Sequence, residues 1–236
     1  MEIKTILSIE TSGKVCSVAL ATFNSLSDAL NYELIAEYNI NIGNKHDKFC
    51  AELCNRIIND NGYNISNINA IAVSIGPGSF TGLRIGVAIA KGLCFDLIDS
   101  NNKQIPLIAV PTLTALSNNA MSIANMIGNE NINILAIIPS HSNLVYYQLF
   151  DKWSNQISDI ELIDLNLLLQ KYYDGTDNII ITTNSSLDID FKNYIFPLSY
   201  ITAASIGRIG AIMYKKHKFT NSIDIQPLYI QDFIPK

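Results

Sequence analysis

The stretch SIGPGSFTGLRIGVAIAKGLCF, from Ser74 to Phe95, constrains the fold more than any other. Its second half has helical periodicity yet is crowded with small residues. Gly82, Gly86, Ala90 and Cys94 recur every four residues and so line one side of a helix. Ala88 and Gly92 lie on an adjoining strip, while Leu83, Ile85, Val87, Ile89 and Leu93 cover most of the rest. A helix apolar nearly all round is covered on two sides. One side must lie on a sheet, and the small-residue side lets another backbone come unusually close. Glycine inside a helix costs about 1 kcal/mol relative to alanine, so close packing has to return more than that. Two arrangements satisfy the requirement. The strip packs inside its own domain, against the helix of Phe49 to Ile58, or the two helices together form a subunit interface. The interface is the expectation, with Phe49, Leu53 and Ile57 from the first helix and Gly82, Ile85, Gly86, Ile89, Ala90 and Leu93 from the second facing a partner.

The elements around this helix alternate in type. Thr5 to Ile9 and Val15 to Ala21 are rich in β-formers and are joined by a tight turn at Glu10 to Lys14; Tyr32 to Ile42 is a more polar third strand. These three predict an antiparallel meander at one sheet edge. From Lys45, Phe49, Leu53 and Ile57 recur at helical spacing until Asn61-Gly62. Ala70 to Ile75 is an unbroken apolar run that fits a buried strand. Asn101-Asn102-Lys103 is the candidate linker, after which strand and helix patterns begin again at Leu107 to Val110 and after Pro111. Strands follow at Ile132 to Ile138, Leu144 to Phe150, Ile157 to Ile163 and Ile179 to Thr182, with helices at Leu165 to Tyr172 and Thr202 to Lys216. The layout predicts a two-domain α/β protein: residues 1–102, completed by the final helix at about 202–217, and a second subdomain over 103–201.

Charge and cysteine content narrow the function classes. The chain has 236 residues, 48% hydrophobic, which suits one large domain or two small ones. Acidic and small polar residues arrive too early in MEIKTILSIETSG for a signal peptide, and Ile132 to Ile138 is far too short to span a bilayer, so a cytoplasmic protein is expected. A formal charge of -5 argues against autonomous nucleic-acid binding, because phosphate neutralisation supplies most of that affinity. The dense basic cluster Lys215-Lys216-His217-Lys218 sits where a helix ends and is explained there by the helix dipole; RNA contact is the lesser reading. His46, Cys50 and Cys54 share one helical face, but no fourth ligand accompanies them, so they read as core residues and no metal is expected.

Two loops have the form of phosphate cradles. Strand Ile6 to Ile9 runs into Glu10-Thr11-Ser12, and Gly76-Pro77-Gly78-Ser79 precedes the small-residue helix. Neither is a Walker motif: no Gly-Lys-Ser/Thr follows, and Lys91 lies ten residues into the helix. An autonomous ATP-dependent kinase or hydrolase using Glu10 to direct a metal stays open as the alternative function.

Taken together, ILSIETSGKVCSVAL, GPGSFTGLRIGVAIAKGL and PLIAVPTLTAL resemble the Gcp-like family that makes threonylcarbamoyladenosine in tRNA, strongly over Ile6 to Leu116 and loosely beyond, where PLYIQ matches a C-terminal family segment. The resemblance implies an actin-like/ribonuclease H-like fold of the sugar kinase, Hsp70 and actin class, with mixed sheets flanked by helices. In the catalytic TsaD branch, a strand similar to PLIAV leads into Asn-His-x-x-x-His, whose histidines bind metal. Here Thr112 and Leu116 occupy those positions, and neither replaces imidazole. The resemblance therefore implies a non-catalytic scaffold that pairs with a TsaD-like subunit, works with a TsaE-like ATPase, and meets tRNA only through the complex. It also implies a homodimer when alone, no intrinsic cofactor, and nucleotide (ADP or ATP) only at the heterodimer interface. Glu10, Thr11, Ser12, Gly76, Gly78 and Ser79 would then be vestigial nucleotide-fold loops. The chain departs from the family at Pro139-Ser140-His141, where Asp-Ala-Arg is common, and at Gln231, where arginine is common.

Overall fold

The computed structural model describes residues 2–27, 30–41, 46–96, 104–127, 131–172, 179–185 and 200–230. Lys45, the linker Asn101 to Lys103 and Gln231 lie outside these residues. Two compact units are present: residues 1–112 with 202–227, and residues 113–201 with 228–236.

The first unit is built on β1 (Ile3–Glu10), β2 (Cys16–Asn24), β3 (Tyr32–Ile40), β4 (Ala70–Gly76) and β5 (Leu107–Pro111), in the sheet order β3-β2-β1-β4-β5. The first three strands form the antiparallel meander; β4 runs parallel to β1, and β5 parallel to β4. The unit therefore ends after Thr112, where the sequence pattern places a boundary after residue 102. The reason is pairing: Ile71 to Gly76 take Leu107 to Pro111 as neighbours, so β5 closes the first sheet and does not open the second.

Alternation along the central strands sets the layers. Leu7, Ile9, Ile71 and Val73 join Val18 and Leu20 in a core shared with α1 (His46–Asp60) and α2 (Phe80–Asp96). On the other face, Ile6, Ser8 and Ala72 meet α5 (Ala203–Lys215), whose glycines sit on them: a Cβ at Gly210 would lie 2.6 Å from Ala72 Cβ, and one at Gly207 2.8 Å from Ser8 Oγ. The first turn of α5 is fastened by the distant meander. The Ala203 amide donates to Ser17 Oγ at 2.8 Å and the Ala204 amide to Glu37 Oε1 at 2.7 Å, a carboxylate at the positive end of the helix.

The second unit carries a four-stranded sheet, β8-β7-β6-β9, from β6 (Asn133–Pro139), β7 (Leu144–Asp151), β8 (Glu161–Asp164) and β9 (Ile179–Thr183). Strands β6 and β9 are parallel and the other pairs antiparallel. Helix α4 (Leu165–Tyr172) buries Leu165 and Leu168 in a cluster with Leu135, Ile137, Val145 and Tyr147. Helix α3 (Thr112–Ile127) begins at the join between the units in sequence. Two mixed sheets with helices on their faces make this the actin-like/ribonuclease H-like fold.

Candidate functional site: two interlocked loops and the outer face of the α1–α2 pair

Both phosphate-loop candidates sit at the carboxyl ends of parallel strands, where α/β sheets place their ligands. Glu10 closes β1, and Gly76 closes β4. The two loops grip one another. Ser79 donates its amide to Ser12 O at 2.7 Å, and a Cβ on Gly78 would stand 2.6 Å from the same oxygen. A Cβ on Gly82 would fall on the Thr11 carbonyl oxygen, and one on Gly86 on Thr11 Oγ1. Ser79 is also the N-cap of α2: its Oγ accepts from the Gly82 amide at 3.3 Å, and its carbonyl from the Leu83 amide at 2.9 Å. The amides of Ser12, Gly76, Ser79 and Gly82 are thus committed within the chain.

Glu10 is 1% exposed. The Ser12 amide and hydroxyl both donate to its Oε1 at 2.5 Å. Burial pushes its carboxyl up to about 6, against the opposing pull of the Ser12 hydroxyl. The Ser74 hydroxyl pulls the same way from close by, but lies outside hydrogen-bond geometry. Glu10 Oε2, Thr11 Oγ1 and Ser74 Oγ are all buried without hydrogen-bond partners. With Glu10, Thr11, Ser12 and Ser74 all buried, and Thr11 covered by Gly82 and Gly86 of α2, these polar groups do not form an open cradle.

The structure corrects the inner half of the expected partner surface. Gly82, Gly86 and Ala90 are buried in their own unit, as are Leu53 (4% exposed) and Ile57 (0%). At Gly82 and Gly86 the small-residue strip receives Thr11 and Val73, and farther along Ala90 and Cys94 share the core with Cys50, Leu53, Cys54 and Ile57 of α1. Phe49, Ile85, Ile89 and Leu93 do reach the surface; all four are partly exposed, and Phe49, Ile89 and Leu93 rest on the edge of the core. Beyond them α2 turns outward through Ala88, Gly92 and Phe95, which is 73% exposed, and nothing lies within 4 Å of a Cβ at Gly92. Near the start of the helix, the Arg84 guanidinium lies over the Phe80 ring at 3.8 Å. Phe80, Arg84 and Phe95 were not singled out by sequence reasoning, although a helical wheel places Arg84 and Phe95 on one face.

The remaining candidates are core residues. Thr112 and Leu116 are both fully buried, and Thr112 Oγ1 accepts the Gly76 amide at 3.1 Å. His46, Cys50 and Cys54 are buried along α1, and among the described residues no three His, Cys, Asp or Glu side chains are placed to hold a metal. Among those residues, no helix is long and apolar enough to cross a membrane.

Comparison with known proteins gives a consistent picture. The family TsaD, tRNA N6-adenosine threonylcarbamoyltransferase, matches residues 34–166, more than half of the chain. The tRNA threonylcarbamoyladenosine biosynthesis protein TsaB of Haemophilus influenzae is 31% identical over 62% of this chain, and the match spans 54% of that relative, about half its length. The TsaB of Buchnera aphidicola subsp. Baizongia pistaciae is 26% identical over 98% of this chain and 99% of its own length. Among solved structures, YeaZ from Pseudomonas aeruginosa superposes with a TM-score of 0.71 at 18% identity, covering 96% of this chain and all of the other. That last likeness speaks for the fold.

Proposed function

Since this chain belongs to the Gcp-like/TsaD family and sits among its TsaB (YeaZ) members, we propose that it is a non-catalytic subunit that docks a TsaD-like catalytic chain through the outer face of α1 and α2. With a TsaE-like ATPase, the assembled complex transfers a threonylcarbamoyl group to the adenosine beside the anticodon of tRNA. The observation that carries the non-catalytic reading is the pair Thr112 and Leu116. Where the catalytic branch has its metal-binding histidines, this chain has a threonine tied to the Gly76 amide and a leucine with no exposed surface. A buried leucine holds no metal.

The docking reading is supported by Phe49, Ile85, Ile89 and Leu93, which remain partly exposed beside the exposed Ala88 and Gly92. Apolar and aromatic side chains grouped on two adjacent helices are the raw material of an interface core. In the absence of the catalytic chain, the same face pairs two copies of this one. Nucleotide, ADP or ATP, binds only at the joint surface with the catalytic partner, because the chain's own loops are occupied by each other.

The test is a modification assay with purified TsaD-like and TsaE-like proteins, unmodified tRNA, and this chain added or omitted. Modification that depends on the added chain supports the reading; equal modification without it contradicts the reading. The competing function, an autonomous ATP-dependent enzyme, is checked with the purified chain, ATP and magnesium. Turnover that is lost in Glu10→Ala would replace the scaffold with an enzyme.

A further inference from the structure

At the opposite end of the first sheet, α5 finishes in an exposed basic and aromatic turn. Lys216, His217, Lys218 and Phe219 are all exposed, Phe219 by 44%. The helix end is already satisfied by backbone: the Lys216 amide donates to Ile212 O, the His217 amide to Tyr214 O and the Lys218 amide to Met213 O. The last of these is the six-to-one bond of a Schellman ending, which normally carries glycine at its left-handed residue. Here that residue is His217, at φ 52°. Helix termination therefore does not call for the basic side chains, and it would run more smoothly with glycine.

The turn is also built to stay in place. Phe23 on β2 meets Tyr214 edge-on at 5.2 Å, Tyr214 meets Phe219 at 5.3 Å, and Phe219 meets the His217 ring at 5.9 Å. Lys215 is held by the Ser27 carbonyl. Lys4 is the register partner of Phe23 and so rises on the same face, paired with Glu2 at 3.0 Å. Asp224 follows the turn in sequence and is exposed. Among the described residues, no acidic side chain forms an ion pair with Lys216 or Lys218. A chain of net charge -5 thus concentrates lysine and exposed ring surface in one rigid turn.

We propose that the Lys216 to Phe219 turn, flanked by Lys215 and Lys4, is a contact for the sugar–phosphate backbone of tRNA in the assembled complex. Lys216 and Lys218 attract phosphate by counterion release, and the exposed His217 and Phe219 rings offer stacking surface to an unpaired base. The inference rests on the function proposed above. It is a supporting contact, since a few lysines on an acidic chain give little affinity alone.

The experiment uses the full complex of this chain with its TsaD-like and TsaE-like partners and a fluorescent tRNA transcript, titrated at several salt concentrations. The variant is Lys216→Glu with Lys218→Glu; the control is Lys216→Arg with Lys218→Arg. The Glu variant should assemble normally, yet bind tRNA about tenfold more weakly near physiological salt, with the log–log salt slope reduced by about 1.5. The Arg variant should bind as the wild type does. Wild-type affinity and slope in the Glu variant, with assembly and modification intact, overturn the tRNA contact alone. Failure of the wild-type chain to assemble or to support modification overturns the function reading and this contact with it. Retention of the chain on phosphatidylglycerol vesicles, lost in the Glu variant while tRNA binding is unchanged, would reassign the turn to a lipid surface.

Discussion

Gly82 and Gly92 stand in the same helix, three turns apart at most, and do opposite things. A side chain on Gly82 would strike the carbonyl oxygen of Thr11, while one on Gly92 would meet nothing within 4 Å. The first glycine is a packing necessity inside the unit; the second faces outward beside Ala88 and Phe95. A sequence pattern of small residues thus contains two kinds of position. The every-fourth-residue strip belongs to the fold, and the proposed partner surface is assigned to the shoulder of the helix, about a quarter turn away.

Substitutions can break this contrast. Gly82→Ala should have the largest effect, since the obstructing atom is backbone: a loss of roughly 3 kcal/mol or more, read as a lower urea midpoint with an unchanged slope. A Gly82→Ala variant as stable as the wild type would mean that the strip is not tightly packed. Glu10→Gln sharpens the account of the closed loops. Because burial raises the Glu10 pKa to about 6 from 4.5, the folded state binds a proton that the unfolded state releases earlier. The Glu10 contribution to stability is therefore full below about pH 4.5 and is lost as pH rises through about 6. At pH 7.5, Glu10→Gln should gain about 2 kcal/mol and flatten that part of the stability profile. An unchanged profile would indicate a solvated carboxylate. Gly92→Ala should raise stability by about 1 kcal/mol, since it adds helix propensity and meets no neighbour; a loss of stability would show that the outer face is not open.

Much of the fold was legible because period and turn chemistry agreed. The unbroken run Ala70 to Ile75 and the small-residue helix, whose pattern begins near Thr81, are β4 and α2. The boundary between units was not legible, because Leu107 to Val110 is equally apolar whether it opens a second sheet or closes the first. In the site, the glycine spacing identified a close approach correctly but not what approaches. Spacing fixes one face of the helix and says nothing about whether that face meets Thr11 of the same chain or another molecule. The capping of α5 by Ser17 and Glu37 had no local signal, since those residues lie far away in sequence.

Ile85 offers the most direct test, because it is partly exposed on the α2 shoulder and lies outside the core cluster. The measurement is light scattering during size-exclusion chromatography of Ile85→Asp mixed with the TsaD-like chain, alongside its melting curve. The docking account predicts a variant that melts within a few degrees of the wild type, runs as a monomer and forms no heterodimer. A heterodimer formed as readily as with the wild-type chain would contradict the account and place the partner elsewhere.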